Sequence, residues 1–158
     1  MSEKILNQGE QFGFFSKKPV LISAQDIRYD EVRRKPDDVM DKIKLVLEKL
    51  DKLKAKRIVI DSVSSMEIEN GIQARIAARK IIEGLNKIGA TSIITGEAMN
   101  GEYPDEVTPF LVDGVVILKK QAVGPEETRS VIVAKMRETN ISGGVHSLEF
   151  TKQGLKAD

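Results

Sequence analysis

Two stretches of the chain place apolar residues three and four positions apart, a spacing that gathers them on one side of an α-helix. The clearer one predicts a helix over residues 36–54, beginning at Pro36, which suits the first helical position. The other predicts a helix over residues 72–88, followed by Gly89, where a left-handed C-cap is expected. A shorter helix is predicted over residues 2–12. The apolar positions of the two longer helices are Val39, Ile43, Val46, Leu47, Leu50 and Leu53, and Ala74, Ala77, Ala78, Ile81, Ile82, Leu85 and Ile88.

Short apolar runs elsewhere predict β-strands. Strands and helices alternate through the first two thirds of the chain, which implies crossover connections and a parallel sheet. Gly124-Pro125 lies between two later runs and predicts a hairpin. The predicted fold class is therefore α/β, a mostly parallel sheet flanked by helices and ending in an antiparallel hairpin. The predicted strands are residues 19–23, 57–61, 91–95, 114–118, 130–134 and 145–150, with a loop over residues 99–109.

Length and composition narrow the class of protein. A chain of 158 residues fits one domain, residues 1–158. The absence of cysteine excludes disulfides and thiolate metal sites, and a single histidine argues against a Ser-His triad. A net charge of +1 gives no bulk attraction to nucleic acid. The apolar runs are too short for a membrane span, and the polar N-terminus does not resemble a signal or transit peptide, so we expect a cytoplasmic protein.

Polar side chains follow the predicted parallel strands, at the edge where ligands bind in such sheets. Asp61 and Ser62 end the run of residues 57–61, a pattern typical of a Walker B strand, whose carboxylate holds the Mg²⁺ of a nucleotide. The alternative is a buried strand whose Asp caps a turn. Thr95 and Glu97 end the neighbouring strand, where a polar group can orient water or meet a γ-phosphate. The alternative there is a strand end with a surface Glu.

Lys135 and Arg137 are cations two residues apart on a predicted strand, so both are expected on one face. Two converging cations suit a polyanion such as a triphosphate, although a solvated strand face beside Glu138 is an equally good interpretation. His146 shares a predicted strand face with apolar residues. We interpret it as a partly buried histidine whose hydrogen bonds are satisfied.

The phosphate-binding loop of nucleotide triphosphatases has no match in this sequence. The pattern G-x-x-x-x-G-K-[ST] does not occur, and the closest spacing, Gly84 to Gly89, lies inside and at the end of a predicted helix. Such loops supply backbone amides that bind phosphate. Function must therefore come from other residues or from a partner.

Together these segments make the chain resemble the KaiC-like branch of the RecA/RadA ATPase superfamily. The resemblance covers RIVIDSVSSM, ARKIIEGLNKIGATSIITGEA, VDGVVIL and VIVAKMRETNISGGVHSLEFTKQGL, and runs from about Glu3 to Leu155. Its most specific part is Lys135-Met136-Arg137 followed by His146 and Phe150, which is similar to the family's K-M-R-x-T…H-x-x-x-F ending. The start of the chain looks like the family segment just after its second strand.

The resemblance implies a role for each matched residue. Asp61 would hold the Mg²⁺ of ATP, with Ser62 beside it, and Glu97 would lie at the family's polar position after the next strand. Lys135 and Arg137 would reach the γ-phosphate of a nucleotide bound to the next subunit of a ring, as a trans-acting finger that stabilises charge in the transition state.

The chain also departs from the family pattern. The family's P-loop strand and helix, and its water-activating glutamates, precede the matched region. The chain is therefore expected to be the C-terminal two thirds of a larger domain, without the P-loop strand and without ATP hydrolysis of its own. Family members usually carry Gly where this chain has Glu138. Loss of an inner strand exposes backbone groups and apolar faces, which predicts an oligomer, a swapped assembly or a rearranged sheet.

Three functions remain open from the sequence. The first is an ATPase-derived module that keeps the Walker B Asp and the trans cations and binds ATP and Mg²⁺ weakly or not at all by itself. The second is a non-enzymatic subunit that docks onto complete KaiC-like or RadA-like ATPases. The third is a DNA-associated recombinase paralogue, which the near-neutral charge disfavours.

Overall fold

The computed structural model describes residues 6–7, 10, 19–22, 39–62, 71–96 and 108–158. The chain divides into two compact units. The helical unit is Ile27–Val112, and the sheet unit combines Met1–Asp26 with Asp113–Asp158. The elements in chain order are α1 (Val39–Lys52), β1 (Arg57–Ile60), α2 (Gly71–Ile88), β2 (Thr91–Ile94), α3 (Thr108–Leu111), β3 (Gly114–Val123), β4 (Glu126–Met136), β5 (His146–Thr151) and β6 (Gly154–Ala157).

The two long helices of the helical unit form where the apolar spacing predicts them, except that α1 ends at Lys52 and leaves Leu53 exposed in the following turn. Asp41 lies in the first turn of α1 and Lys49 and Lys52 lie in its last turn, so their charges complement the helix dipole. Gly89 ends α2 with a φ of 71°, and its N–H donates to the carbonyl of Leu85 at 3.1 Å. The left-handed C-cap predicted at Gly89 is therefore confirmed.

The described core lies in the helical unit. It is aliphatic, and no polar side chain among the described residues is buried with it. Its members are Ile43, Leu50, Ile58, Ala77, Ala78, Ile81, Ile82 and Leu85. Gly84 lets the helices α1 and α2 approach closely, because a Cβ at this position would lie within 3.0 Å of three side-chain atoms of Leu47. Gly84 therefore serves helix packing, as its place within a predicted helix indicates.

Strands β1 and β2 form a two-stranded parallel sheet with one covered and one uncovered face. Ile58 is buried on the covered face. Val59 and Ile93 are paired across the strands on the other face, where they are 67% and 60% exposed. The prediction of a buried strand over residues 57–61 is therefore wrong for this side of the sheet, which we call the open face. Parallel sheets are ordinarily covered on both sides.

The strands of the sheet unit pair in sequence order, from β3 to β6, and all are antiparallel. Strands β3 and β4 make a hairpin longer than predicted, with its turn at Gly124 and Pro125. Near the tip, the Glu127 carboxylate pairs with Lys120 at 2.7 Å and with Arg129 at 3.7 Å. Both ion pairs are exposed, so each adds only modestly to the stability of the hairpin tip.

One face of this antiparallel sheet carries exposed apolar side chains from three strands. Leu118 on β3 pairs with a residue of β4, and Phe150 on β5 pairs with Leu155 on β6. The side chains of Leu118, Phe150 and Leu155 are each more than half exposed. The guanidinium of Arg129 lies over the Phe150 ring, 5.2 Å from its centroid. This cation–π contact covers part of an otherwise open aromatic side chain.

The α/β class, with a parallel sheet followed by antiparallel strands, is confirmed. The predicted strand at residues 19–23 is wrong where it is described, since residues 19–22 are irregular and none of the described strands pairs with them. Strand β6 was missed, because its few residues become a strand only by pairing with β5. The predicted helix over residues 2–12 falls largely outside the described residues, although Leu6, Asn7 and Glu10 are helical. The predicted loop over 99–109 also falls largely outside them, and it is wrong at Thr108 and Pro109, where α3 begins.

No helix in the described part of the chain has both the length and the apolar character needed to cross a membrane.

Candidate functional site

The ends of β1 and β2 bring Asp61 and Thr95 together. The N–H of Thr95 donates to the carbonyl of Ile60 at 2.9 Å, which continues the parallel ladder one residue past β2. The Thr95 hydroxyl donates to Oδ1 of Asp61 at 2.5 Å, across 34 residues of sequence. Both residues thus lie where the sequence places them, just beyond adjacent parallel strands.

Oxygen donors of the type that Mg²⁺ prefers gather at this edge. The carboxylate of Asp61 is exposed, Thr95 is half-buried, and Ser62 follows as a half-buried residue. Within the described residues, no three His, Cys, Asp or Glu side chains form a metal-binding cluster. A single carboxylate fits a Mg²⁺ ion held mainly by phosphates and water, and it does not fit an all-protein metal cage. Glu97 lies outside the described residues.

The second group of candidates lies at the base of the β3–β4 hairpin. Lys135 is half-buried near the end of β4, opposite Val115. Arg137 lies in the turn after β4, so the expectation that both cations stand on one strand is wrong for Arg137. The ladder still reaches Arg137, whose N–H donates to the carbonyl of Asp113 at 2.8 Å. Its Nη1 lies 3.1 Å from Oδ1 of Asp113.

Glu138 follows Arg137 in a conformation that glycine adopts more easily. Its φ is 57°, in the left-handed region. This geometry gives a physical reason for the Gly that the family resemblance leads us to expect at this position.

His146 is half-buried, and its Nδ1 lies 2.9 Å from the main-chain oxygen of Asp158. A ring N–H at Nδ1 that donates to this oxygen satisfies one of the two ring nitrogens. The partial burial predicted for His146 is confirmed.

The two groups of candidate residues belong to different units. Asp61, Ser62 and Thr95 lie in the helical unit, and Lys135 and Arg137 lie in the sheet unit. Each group is thus assembled by its own sheet: the parallel pair aligns the first, and the antiparallel hairpin aligns the second.

Sequence reasoning missed Asp113, the ion-pair partner of Arg137. Counting back from the hairpin turn, Val116 pairs with Val133, and the same count places Asp113 opposite Met136. A register shift next to Val116 changes this by one residue, so the ladder brings Asp113 to Arg137 instead. Only the position of this β-bulge reveals the pair, and the sequence carries no clear signal for it.

Comparison with known families identifies one that matches almost the whole chain. The family model described as "ATPase: KaiC" matches residues 11–157.

Individual relatives and a solved structure show the same similarity. A UPF0273 protein of Methanocaldococcus jannaschii is 32% identical over 125 residues, 76% of this chain and 50% of the relative. A UPF0273 protein of Thermotoga maritima is 31% identical over 126 residues, 78% of this chain and 52% of the relative. A KaiC-like protein of Pyrococcus horikoshii superposes with a TM-score of 0.67 at 27% identity, covering 77% of this chain and 57% of that chain. The chain spans about half the length of the curated relatives it matches.

Proposed function

Because this chain belongs to the KaiC family of ATPases, we propose that it is an ATPase-derived module that contributes Asp61, Lys135 and Arg137 to nucleotide sites shared with other subunits. The observation that carries this proposal is the hydrogen bond between Thr95 and Asp61 at the carboxyl edge of the parallel strands. It holds one carboxylate at the edge where α/β sheets bind their ligands. The same edge is where the Mg²⁺ of a nucleotide is held in P-loop ATPases.

In this proposal Asp61 would hold the Mg²⁺ that accompanies a nucleotide. Thr95 fixes the carboxylate by donating to Oδ1, and Ser62 lies beside it. Mg²⁺, when bound with ATP, supplies positive charge that neutralises the phosphate oxygens. The donor set of one carboxylate and neighbouring hydroxyls fits this ion, because Mg²⁺ keeps most of its ligands as water and phosphate.

The module is proposed not to hydrolyse ATP by itself. The sequence lacks the pattern G-x-x-x-x-G-K-[ST], and with it the amides and the lysine that hold phosphates in P-loop ATPases. Without these groups the chain is also proposed not to bind ATP tightly by itself, and isothermal titration of the full chain with ATP and Mg²⁺ tests this, with the Asp61→Asn variant as control. We expect no binding in the micromolar range. Micromolar binding that the Asp61→Asn variant loses would show that the chain forms a nucleotide pocket of its own.

The cations are proposed to act on a nucleotide bound by another subunit. A guanidinium or ammonium placed on a γ-phosphate stabilises transition-state charge. The test mixes the chain with a complete KaiC-like ATPase and measures ATP turnover. We expect stimulation that Arg137→Ala abolishes. Arg79→Ala is the matched control, because Arg79 is also an exposed, ion-paired arginine, with Glu83 at 2.8 Å, and has no role in the proposed site.

A second candidate is a regulatory subunit that docks onto complete KaiC-like or RadA-like ATPases, or onto copies of itself, without contributing to catalysis. The open face favours docking. It leaves Val59 and Ile93 of the parallel pair exposed, whereas parallel sheets are ordinarily covered on both sides. In the mixing experiment this candidate predicts that the chain forms a complex with the complete ATPase. Arg137→Ala should then leave both the complex and its ATP turnover unchanged. For both candidates we propose a cytoplasmic location. Salt-sensitive DNA binding would instead favour a recombinase paralogue.

A further inference from the structure

At the base of the β3–β4 hairpin, Asp113 contacts both the backbone and the side chain of Arg137. The N–H of Arg137 donates to the Asp113 carbonyl at 2.8 Å, and Nη1 of Arg137 lies 3.1 Å from Oδ1 of Asp113. The first contact fixes where the side chain begins, and the second fixes where its charge lies. Two constraints from one residue define the position of a long side chain better than either does alone.

A β-bulge creates this pairing. The register runs regularly from the hairpin turn to Val116 opposite Val133 and then shifts, so that Val115 lies opposite Lys135. The extra residue is Ala134, which has no partner in the register. Without it, Asp113 would face Met136 instead of Arg137. Bulges often re-aim a side chain near functional sites, and this one aligns an acid with the proposed finger.

The residues around the pair restrict the hairpin base further. Gly114 pairs with Met136, and a Cβ on Gly114 would lie 2.9 Å from the Met136 sulfur, so the thioether packs directly against the glycine. On the far side of Arg137 the chain turns at Glu138 with a φ of 57°. Arg137 therefore lies at a corner between a closely packed strand pair and a left-handed turn.

We propose that Asp113 is a positioning residue for Arg137. Its carboxylate holds the Arg137 guanidinium in place for a phosphate-type anion on a partner. This inference rests on the trans role proposed for Arg137. The side chains are 51% and 79% exposed, so their ion pair adds little to stability and its effect is on geometry. A guanidinium carries five donors on a planar fork, so one carboxylate and one phosphate can share it.

The first experiment tests positioning without any partner. The NMR signal of the Arg137 Nε–Hε group is measured in the full chain and in Asp113→Ala and Asp113→Asn, with backbone amide spectra to establish that each variant is folded. We expect Asp113→Ala to shift the signal towards that of an unconstrained arginine. Asp113→Asn keeps a carbonyl oxygen and is expected to shift it less. Glu127→Gln, which breaks the Arg129 ion pair, is the matched control and should leave the Arg137 signal unchanged.

The second experiment measures stimulation of a complete KaiC-like ATPase. We expect Asp113→Ala to lower the stimulated kcat about tenfold, because a misplaced catalytic group loses rate even when it is present. Asp113→Asn should restore part of it, and Arg137→Ala should remove it.

The two experiments separate the two proposals. An unchanged Arg137 signal in Asp113→Ala overturns the positioning role, and so does full stimulation by Asp113→Ala when Arg137→Ala is inactive. A shifted Arg137 signal together with no effect of Arg137→Ala on stimulation supports positioning and overturns the trans role instead.

Discussion

Lys54 and Glu138 adopt the left-handed backbone conformation, which is unfavourable for residues that have a Cβ atom. Lys54 follows helix α1 with a φ of 50°, and Glu138 follows Arg137 with a φ of 57°. A left-handed residue with a Cβ costs about 1–2 kcal/mol relative to one in the right-handed region. At Lys54 the backbone N–H donates to the carbonyl of Asp51 at 3.0 Å, and the exposed side-chain ion pair with Asp51 at 3.2 Å adds little to stability. Both positions follow the end of a regular element, where a helix or strand must change direction.

Replacing Glu138 by Gly should stabilise the chain. The variant removes the Cβ clash of the left-handed conformation and loses some of this gain to the greater entropy of unfolded glycine, so we expect a net increase of about 1 kcal/mol in the free energy of unfolding. Urea denaturation measures it. Glu138→Ala is the control, because it removes the same charge and keeps the Cβ. An equal gain in Glu138→Ala would attribute the effect to charge instead of backbone conformation.

The hydrogen bond between Thr95 and Asp61 should contribute measurably to the stability of the helical unit. Thr95→Val keeps the shape and the strand preference of the side chain and removes the hydroxyl. Since Asp61 is exposed and recovers water, we expect a loss of only about 0.5–1.5 kcal/mol, measured by urea denaturation. Thr95→Ser keeps the hydroxyl and should retain most of the stability. Unchanged stability in Thr95→Val, with a loss only in Thr95→Ser, would mean that the methyl group matters and the hydrogen bond does not.

At the scale of elements, the sequence predicts each helix better than it predicts each strand pair. Helix α2 follows from seven apolar positions and one glycine, all local in sequence. The β3–β4 pair depends on where a bulge falls, and that is decided by packing across the sheet. Asp61 and Thr95 could be identified because each directly follows an apolar run that the sequence shows. Asp113 could not, because its pairing with Arg137 depends on the position of the bulge.

The tip of the β3–β4 hairpin should lose stability in acid. The hydrogen bond from Lys120, with the charges of Lys120 and Arg129, holds the pKa of the Glu127 carboxyl below its ordinary value of 4.5. A carboxyl with a lowered folded pKa stabilises the fold above its unfolded pKa and loses this contribution as the pH falls through the folded value.

The Glu127→Gln variant measures this contribution. Wild type should be more stable than Glu127→Gln at neutral pH, and the difference should vanish as the pH falls below 4.5. Denaturation curves across this range provide the measurement. Glu126→Gln removes the same charge from the neighbouring residue and serves as the control. A difference that persists well below 4.5 would show that Glu127 acts through packing and not through its charge.

At the scale of the whole molecule, the described strands form two separate sheets. The chain spans about half the length of its curated relatives. The family and the α/β class followed from short motifs in the sequence, because these depend on local residue patterns. The exposed side of β1 and β2 did not, since an apolar run looks the same whether one of its faces is covered or both are.

The open face leads to a prediction about association. Val59 and Ile93 lie side by side on it, and covering them would give the parallel pair its second layer. We expect the chain to associate with itself as its concentration rises through the micromolar range, measured by sedimentation velocity. The double variant Val59→Thr with Ile93→Thr keeps the strand preference, removes the apolar surface and should remain monomeric.

Leu118→Thr is the matched control, because it makes the same kind of change on the exposed apolar face of the antiparallel sheet and leaves the open face intact. A wild-type monomer at all these concentrations would argue against the open face as an interface, and loss of association in Leu118→Thr alone would assign the interface to the antiparallel sheet.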